Sequence, residues 1–101
     1  MANVFKNFTG AASTIGAQIY TVPAGSTAVV IGMNLANKAV ESQLASVQLD
    51  STYVIKDAPI PSGSALSVLD GKIIMQSGET ITVTGDNDSQ VDVILSVLEQ
   101  S

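Results

Sequence analysis

The side chains that could do chemistry in this chain of 101 residues are nine carboxylates, four lysines, two tyrosines and a large set of hydroxyls. Cysteine, histidine, tryptophan and arginine do not occur. Thiolate nucleophiles, disulfides, Cys/His zinc sites, imidazole acid–base catalysis and bidentate arginine clamps are therefore excluded. A serine nucleophile would have to take its base from Lys6, Lys38, Lys56, Lys72 or an acid, and the sequence has no Gly-x-Ser-x-Gly elbow to present it. Two acids could in principle cleave a glycosidic bond. Sites of that kind usually also bring aromatics to hold the sugar, and only Phe5, Phe8, Tyr20 and Tyr53 are present. The densest group of oxygen ligands is Gly85-Asp86-Asn87-Asp88-Ser89, which lacks the fixed glycine and distal glutamate of an EF-hand loop. It reads as a solvated hairpin tip. No catalytic residue, metal ligand, cofactor or small-molecule substrate is expected.

What remains is a surface. Charged residues are 13% of the chain and hydrophobic residues 46%, with a mean hydropathy of +0.37. Ser, Thr, Asn and Gln supply 31 positions. A chain this apolar and this sparsely charged is not expected to show its whole surface to water, which suggests a subunit of something larger. Its 10.3 kDa should expose roughly 5,400 Å² when folded, enough for one self-standing domain with little to spare. The net charge of −5, with four scattered lysines, argues against direct nucleic-acid binding. Residues 1–6 lack the apolar stretch of a signal peptide, and no apolar run is long enough to span a bilayer. The expectation is a protein kept in a cytosol until it is assembled, with no membrane partner.

The elements that must carry this surface are strands. Gly, Pro and Asp punctuate the chain at the short spacing of an all-β domain, and no segment carries a clear helical stripe. Residues 4–9 alternate, with Val4, Lys6 and Phe8 on one face. Residues 17–22 form the next strand and Pro23-Ala24-Gly25 turns the chain. Residues 26–37 read as one long strand, with Thr27, Val29, Ile31, Met33 and Leu35 on one side and Ala28, Val30, Gly32, Asn34 and Ala36 on the other. Residues 42–50 follow, with Ala45, Val47 and Leu49 inward, and then 53–56. Residues 58–64, with Pro59 and Pro61, are expected to lie outside any sheet because proline lacks the ladder donor. Asp70-Gly71 is the strongest hairpin signal and should join 65–69 to 72–75. Residues 80–84 and 90–98 complete the set, the last with Val91, Val93, Leu95 and Val97 inward. Val22-Pro23-Ala24-Gly25-Ser26 and Ile60-Pro61-Ser62-Gly63-Ser64 echo one another, a reuse of turn chemistry. The fold expected is a single β-sandwich, jelly-roll or immunoglobulin-like, of about eight short antiparallel strands.

Candidate contact residues come from apolar side chains that the alternation leaves without a core. Phe5 and Phe8 lie within residues 1–16, which form either an N-terminal arm that docks on a neighbour or a first strand with a loop; the sandwich proper is 17–101. Pro59, Ile60 and Pro61 sit in the Pro-rich loop. Ile94 and Leu98 give the closing strand a second apolar face. Ala28 and Val30 also fall on the side expected to face a neighbour.

The wording of three stretches resembles small virion structural proteins of tailed bacteriophages. They are residues 19–37 (IYTVPAGSTAVVIGMNLAN), residues 54–64 (VIKDAPIPSGS) followed by LDGKI at 69–73, and VDVILSVL at 91–98. The resemblance spans residues 17–99 and is closest in size and character to head decoration (cement) proteins. It implies a β-rich protein assembled in the host bacterial cytoplasm and located on the capsid surface of the virion. Its partners would be the major capsid protein and copies of itself, as a homotrimer. Small tail, neck or baseplate components share the style. A carbohydrate-binding receptor module is a further alternative, disfavoured by the absence of tryptophan.

Overall fold

The computed structural model describes residues 3–68 and 72–100, and among them every regular element is a strand. In chain order these are β1 (Asn3–Ala11), β2 (Ala17–Thr21), β3 (Thr27–Asn37), β4 (Gln43–Leu49), β5 (Thr52–Ile60), β6 (Ala65–Ser67), β7 (Ile73–Met75), β8 (Thr80–Gly85) and β9 (Val91–Gln100). The first sheet has the order β1-β9-β3-β6, with β7 also on β3; the second has the order β2-β8-β4-β5. All pairings between these strands are antiparallel.

The topology follows from one long ribbon folded over. β4 and β5 form its tip, and β3 with β6 and β7, β2 with β8, and β1 with β9 are nested antiparallel pairs behind it. Rolling the ribbon brings β9 beside β3 and β8 beside β4. That is the strand order of a jelly-roll sandwich. The accessible surface is 5448 Å², close to that of an ordinary folded monomer of this mass.

Between the sheets lie Val30, Leu35, Val93, Leu95, Val97 and Met75 of the first, and Tyr20, Val47, Ile60, Ile81 and Val83 of the second. β8 and β9 alternate buried and less buried residues at period two, as half-buried strands must. The turns before β3, β6 and β8 share one chemistry. Ser26 donates its N–H to Pro23 O, Ser64 to Pro61 O and Glu79 to Gln76 O, each at 3.1 Å. Gly25, Gly63 and Gly78 occupy the third position with φ of 81°, 72° and 83°. A side chain there would be forced into the left-handed region, so the echo read in the sequence is a repeated turn.

Three expectations are corrected. Residues 58–64 are not wholly outside the sheet: Pro59 pairs with Leu44 and Ile60 with Gln43 in β5. β5 is an edge strand, where a missing N–H is tolerated. β6 and β7 do not form a hairpin with each other. Each runs antiparallel to β3, against Asn34–Ala36 and Ala28–Val30 respectively, so together they are one interrupted edge strand. The proposed turn at Asp70-Gly71 lies outside the described residues. Nor is β3 one straight alternation. Its register on β9 slips between Val30 and Gly32, a β-bulge at Ile31. Ala28 and Val30 are consequently buried with Met33 and Leu35, whereas Val29 and Ile31 are not. Of the two readings of residues 1–16, the structure has the first strand: residues 3–11 pair along their whole length with β9.

Candidate functional site

The acids and amides that looked most reactive are occupied in holding loops. Asp88 Oδ1 accepts the Thr14 N–H at 2.8 Å, and Asp86 Oδ1 accepts the Leu44 N–H at 3.2 Å. The bond from the Thr14 backbone is the main reason the Asp88 carboxyl titrates below its ordinary value. Asn87 donates to Gln43 Oε1 at 3.1 Å. Asn37 is buried, and its amide donates to the carbonyls of Glu41 and Ile60, each at 2.8 Å, while Oδ1 accepts the Ala39 N–H at 2.8 Å. Among the described residues no group of three or more Asp and Glu side chains converges in a way that could hold a metal ion.

One polar cluster joins the two sheets. Tyr20 of β2 donates its hydroxyl to Glu99 Oε2 at 2.5 Å, and Lys6 of β1 places Nζ 2.9 Å from Glu99 Oε1. The Tyr20 hydrogen bond, then the one from Lys6, holds the buried Glu99 carboxyl below the usual range. Burial first, and the Glu99 carboxylate second, raise the Tyr20 hydroxyl far above its ordinary value. Phe8 packs against Tyr20 with ring centroids 4.6 Å apart, so Phe8 is part of this junction.

The outer faces of the two sheets differ in kind. Across the second sheet, Gln18, Thr82, Gln48 and Tyr53 lie in register, a row that water can solvate. Across the first sheet, Phe5 of β1, Leu98 of β9, Val29 of β3 and Ile74 of β7 lie in register, an apolar row that crosses every strand but β6. Phe5 is 73% exposed and Ile74 67%, while Leu98 and Val29 between them are half-buried by their neighbours. Ile31 at the bulge (41% exposed) and Ile94 (51%) extend the apolar surface. Beside the row, Ser96 donates to Asn7 Oδ1 at 2.7 Å across β1 and β9. Asp92, paired with Lys38 at 2.9 Å, is the one charged side chain among this sheet's described outward-facing strand residues.

Of the seven contact residues expected from sequence, the structure brings Phe5, Ile94 and Leu98 onto this one face. Ile60 is corrected to a core residue at 1% exposed, and Phe8 lies at the inter-sheet junction. Pro59 and Pro61 are exposed, but at the far edge of the second sheet and in the loop after it. Val29, Ile31 and Ile74 were missed. The first two were assigned inward because the bulge is invisible to a period-two reading; Ile74 was placed in a hairpin.

Comparison with protein-family models finds no match for the chain, and comparison with curated protein sequences finds none either.

Proposed function

We propose that this protein is a structural subunit of a tailed-bacteriophage particle, a capsid decoration protein that braces the major capsid lattice. The observation that carries this reading is the apolar row Phe5–Leu98–Val29–Ile74 across the first sheet, where the corresponding row on the second is Gln18–Thr82–Gln48–Tyr53. An exposed contiguous apolar face of this kind marks an interaction surface. The jelly-roll topology recurs in viral shell domains, and the resemblance of residues 17–99 to virion proteins points the same way. The face would lie on the capsid protein, and the polar second sheet would face solvent. Many weakly held copies on a repeating lattice stabilise it collectively, without any catalytic group.

The test is sedimentation of the purified protein with heads lacking it, together with its copy number in finished particles. Saturable binding and hundreds of copies over the head support the proposal. Six or twelve copies at one vertex would instead assign it to the neck, tail or baseplate. Ile94→Ser should abolish head binding while leaving the melting temperature nearly unchanged, since Ile94 lies outside the core.

A further inference from the structure

A sandwich has free strand edges, and each is a template for another chain unless something blocks it. Three of the four edges here are blocked. β5 carries register shifts on either side of Val47, a left-handed Asp57 (φ 50°) and Pro59. β2 has five residues and a bulge at Ile19. The edge beyond β3 is broken into β6 and β7, of three residues each. β1 differs: its nine residues pair with β9 from Asn3↔Gln100 to Ala11↔Asp92 without a slip, and it contains no proline. β9 is the one strand it pairs with among the described residues. Lysine on an edge is a common blocker. Lys6, however, is drawn to Glu99 at 2.9 Å on the inner side of the strand.

We infer that the free edge of β1 pairs antiparallel with β1 of a second copy, about a two-fold axis at Asn7, joining two first sheets into one continuous sheet. The sequence of β1 is self-complementary about that residue. Asn7 meets Asn7 of the second copy, Phe5 meets Thr9, Lys6 meets Phe8, Val4 meets Gly10 and Asn3 meets Ala11. Phe5, Val4 and Asn3 fall beside smaller residues, Lys6 falls beside Phe8, and no like charges are opposed. The register uses all nine residues, with none overhanging. Alternate residues of each β1 would donate and accept across the joint, satisfying edge groups now left to water. The contact would be roughly 30 Å long, from nine residues at about 3.4 Å each, and about 10 Å deep, the depth of one sheet. That is about 300 Å² per copy, or about 600 Å² in total, below the standard size of specific interfaces, so the pairing is a weak dimer. A chain of net charge −5 repels its own copies, and β1 with its outward neighbours on β9 is a stretch where only Asp92 is acidic. Pairing there also doubles the apolar face without covering it. The inference stands independently of the particle in which the protein serves.

The test is the mass of the full chain in solution by sedimentation equilibrium, for the wild type and for Asn7 variants. The wild type should be a concentration-dependent dimer, twice 10.3 kDa. Asn7→Asp keeps an oxygen acceptor for the Ser96 hydroxyl, so the fold should persist by circular dichroism. It sets two carboxylates opposite each other across the axis, which should weaken the dimer roughly tenfold to a hundredfold at low ionic strength, with recovery in high salt. Mixing Asn7→Asp with Asn7→Lys should give a heterodimer tighter than either variant alone. A wild type that stays monomeric at millimolar concentration, a trimer, or a dimer indifferent to Asn7→Asp would each overturn the inference. Ile94→Ser should leave the dimer intact, so loss of head binding and loss of the dimer are read separately.

Discussion

Replacing Tyr20 by Phe removes one oxygen and tests whether the junction of Tyr20, Glu99 and Lys6 ties the sheets together. The ring stays in the core and keeps its contact with Phe8, so the change isolates the hydroxyl. That hydroxyl donates to a buried carboxylate at 2.5 Å. Hydrogen bonds to charged groups contribute about 1.5–3 kcal/mol. For a domain of this size, about 1 kcal/mol moves the melting temperature by about 4–8 °C, so Tyr20→Phe should lower it by about 6 °C or more at pH 7.

The pH dependence gives a second, sharper reading. Glu99 titrates below its ordinary value in the folded chain, chiefly because of the Tyr20 bond. Its contribution is therefore complete above the unfolded glutamate value, near about pH 4.3, and is lost as pH falls through the lower folded value. The gap between wild type and Tyr20→Phe should be widest at neutral pH and should narrow in acid. Tyr20 itself is shifted upward, so its neutral form favours folding below about pH 10 and that contribution fades in stronger alkali. Melting curves by circular dichroism from pH 3 to pH 8 would measure the first, and curves above about pH 10 the second. A Tyr20→Phe protein as stable as the wild type, or a gap independent of pH, would refute the claim that Glu99 is held by this hydroxyl.

Three other substitutions probe separate parts of the argument. Asn37→Ala strands the Ile60 and Glu41 carbonyls and the Ala39 N–H, and should destabilise by about 3 kcal/mol in urea titration. Gly25→Ala meets no atom within 4 Å, so its expected cost of about 1–2 kcal/mol is purely that of the left-handed backbone; an unchanged urea midpoint would contradict the turn assigned there. Val30→Asp should prevent folding because Val30 is in the core, while Val29→Asp should fold normally, as judged by circular dichroism. The reverse order would mean that the bulge at Ile31 is misplaced.

The sandwich was legible in the sequence because its signals are local. The Pro-x-Gly turns, the alternation of 91–98 and the β-branched run at 80–84 each state a strand or a turn without reference to any other part of the chain. The shared outward face of Phe5, Ile94 and Leu98 was legible for the same reason: β1 and β9 pair without a slip, so a period of two assigns their faces correctly. What could not be read depends on partners. Asp70-Gly71 suggested that 65–69 and 72–75 pair together, but both segments pair with β3. Pro59 argued against a strand, yet only against one with neighbours on both sides. Ile60 looked like a loop residue until β5 became an edge strand whose end turns it into the core.

The bulge at Ile31 connects the stability of the fold to its outer face. A straight β3 would bury Thr27, Val29, Ile31, Met33 and Leu35 together. The slip instead buries the smaller Ala28 and Val30 and turns Val29 and Ile31 away from the core. Burying a side chain such as Val or Ile stabilises by about 1.5–3 kcal/mol, so an isolated chain forgoes much of that stabilisation at Ile31. The slip falls where β3 changes neighbours, since β7 covers Ala28–Val30 and β6 covers Asn34–Ala36. Leu98 and Val29 then stand side by side between Phe5 and Ile74, and without the slip Val29 would leave that row. The scarcity of charge is therefore not spread evenly: the row Gln18–Thr82–Gln48–Tyr53 and the edge residues Lys56 and Asp57 keep the second sheet wettable. The first sheet instead presents Phe, Leu, Val and Ile, whose exposure is unfavourable until another surface covers them.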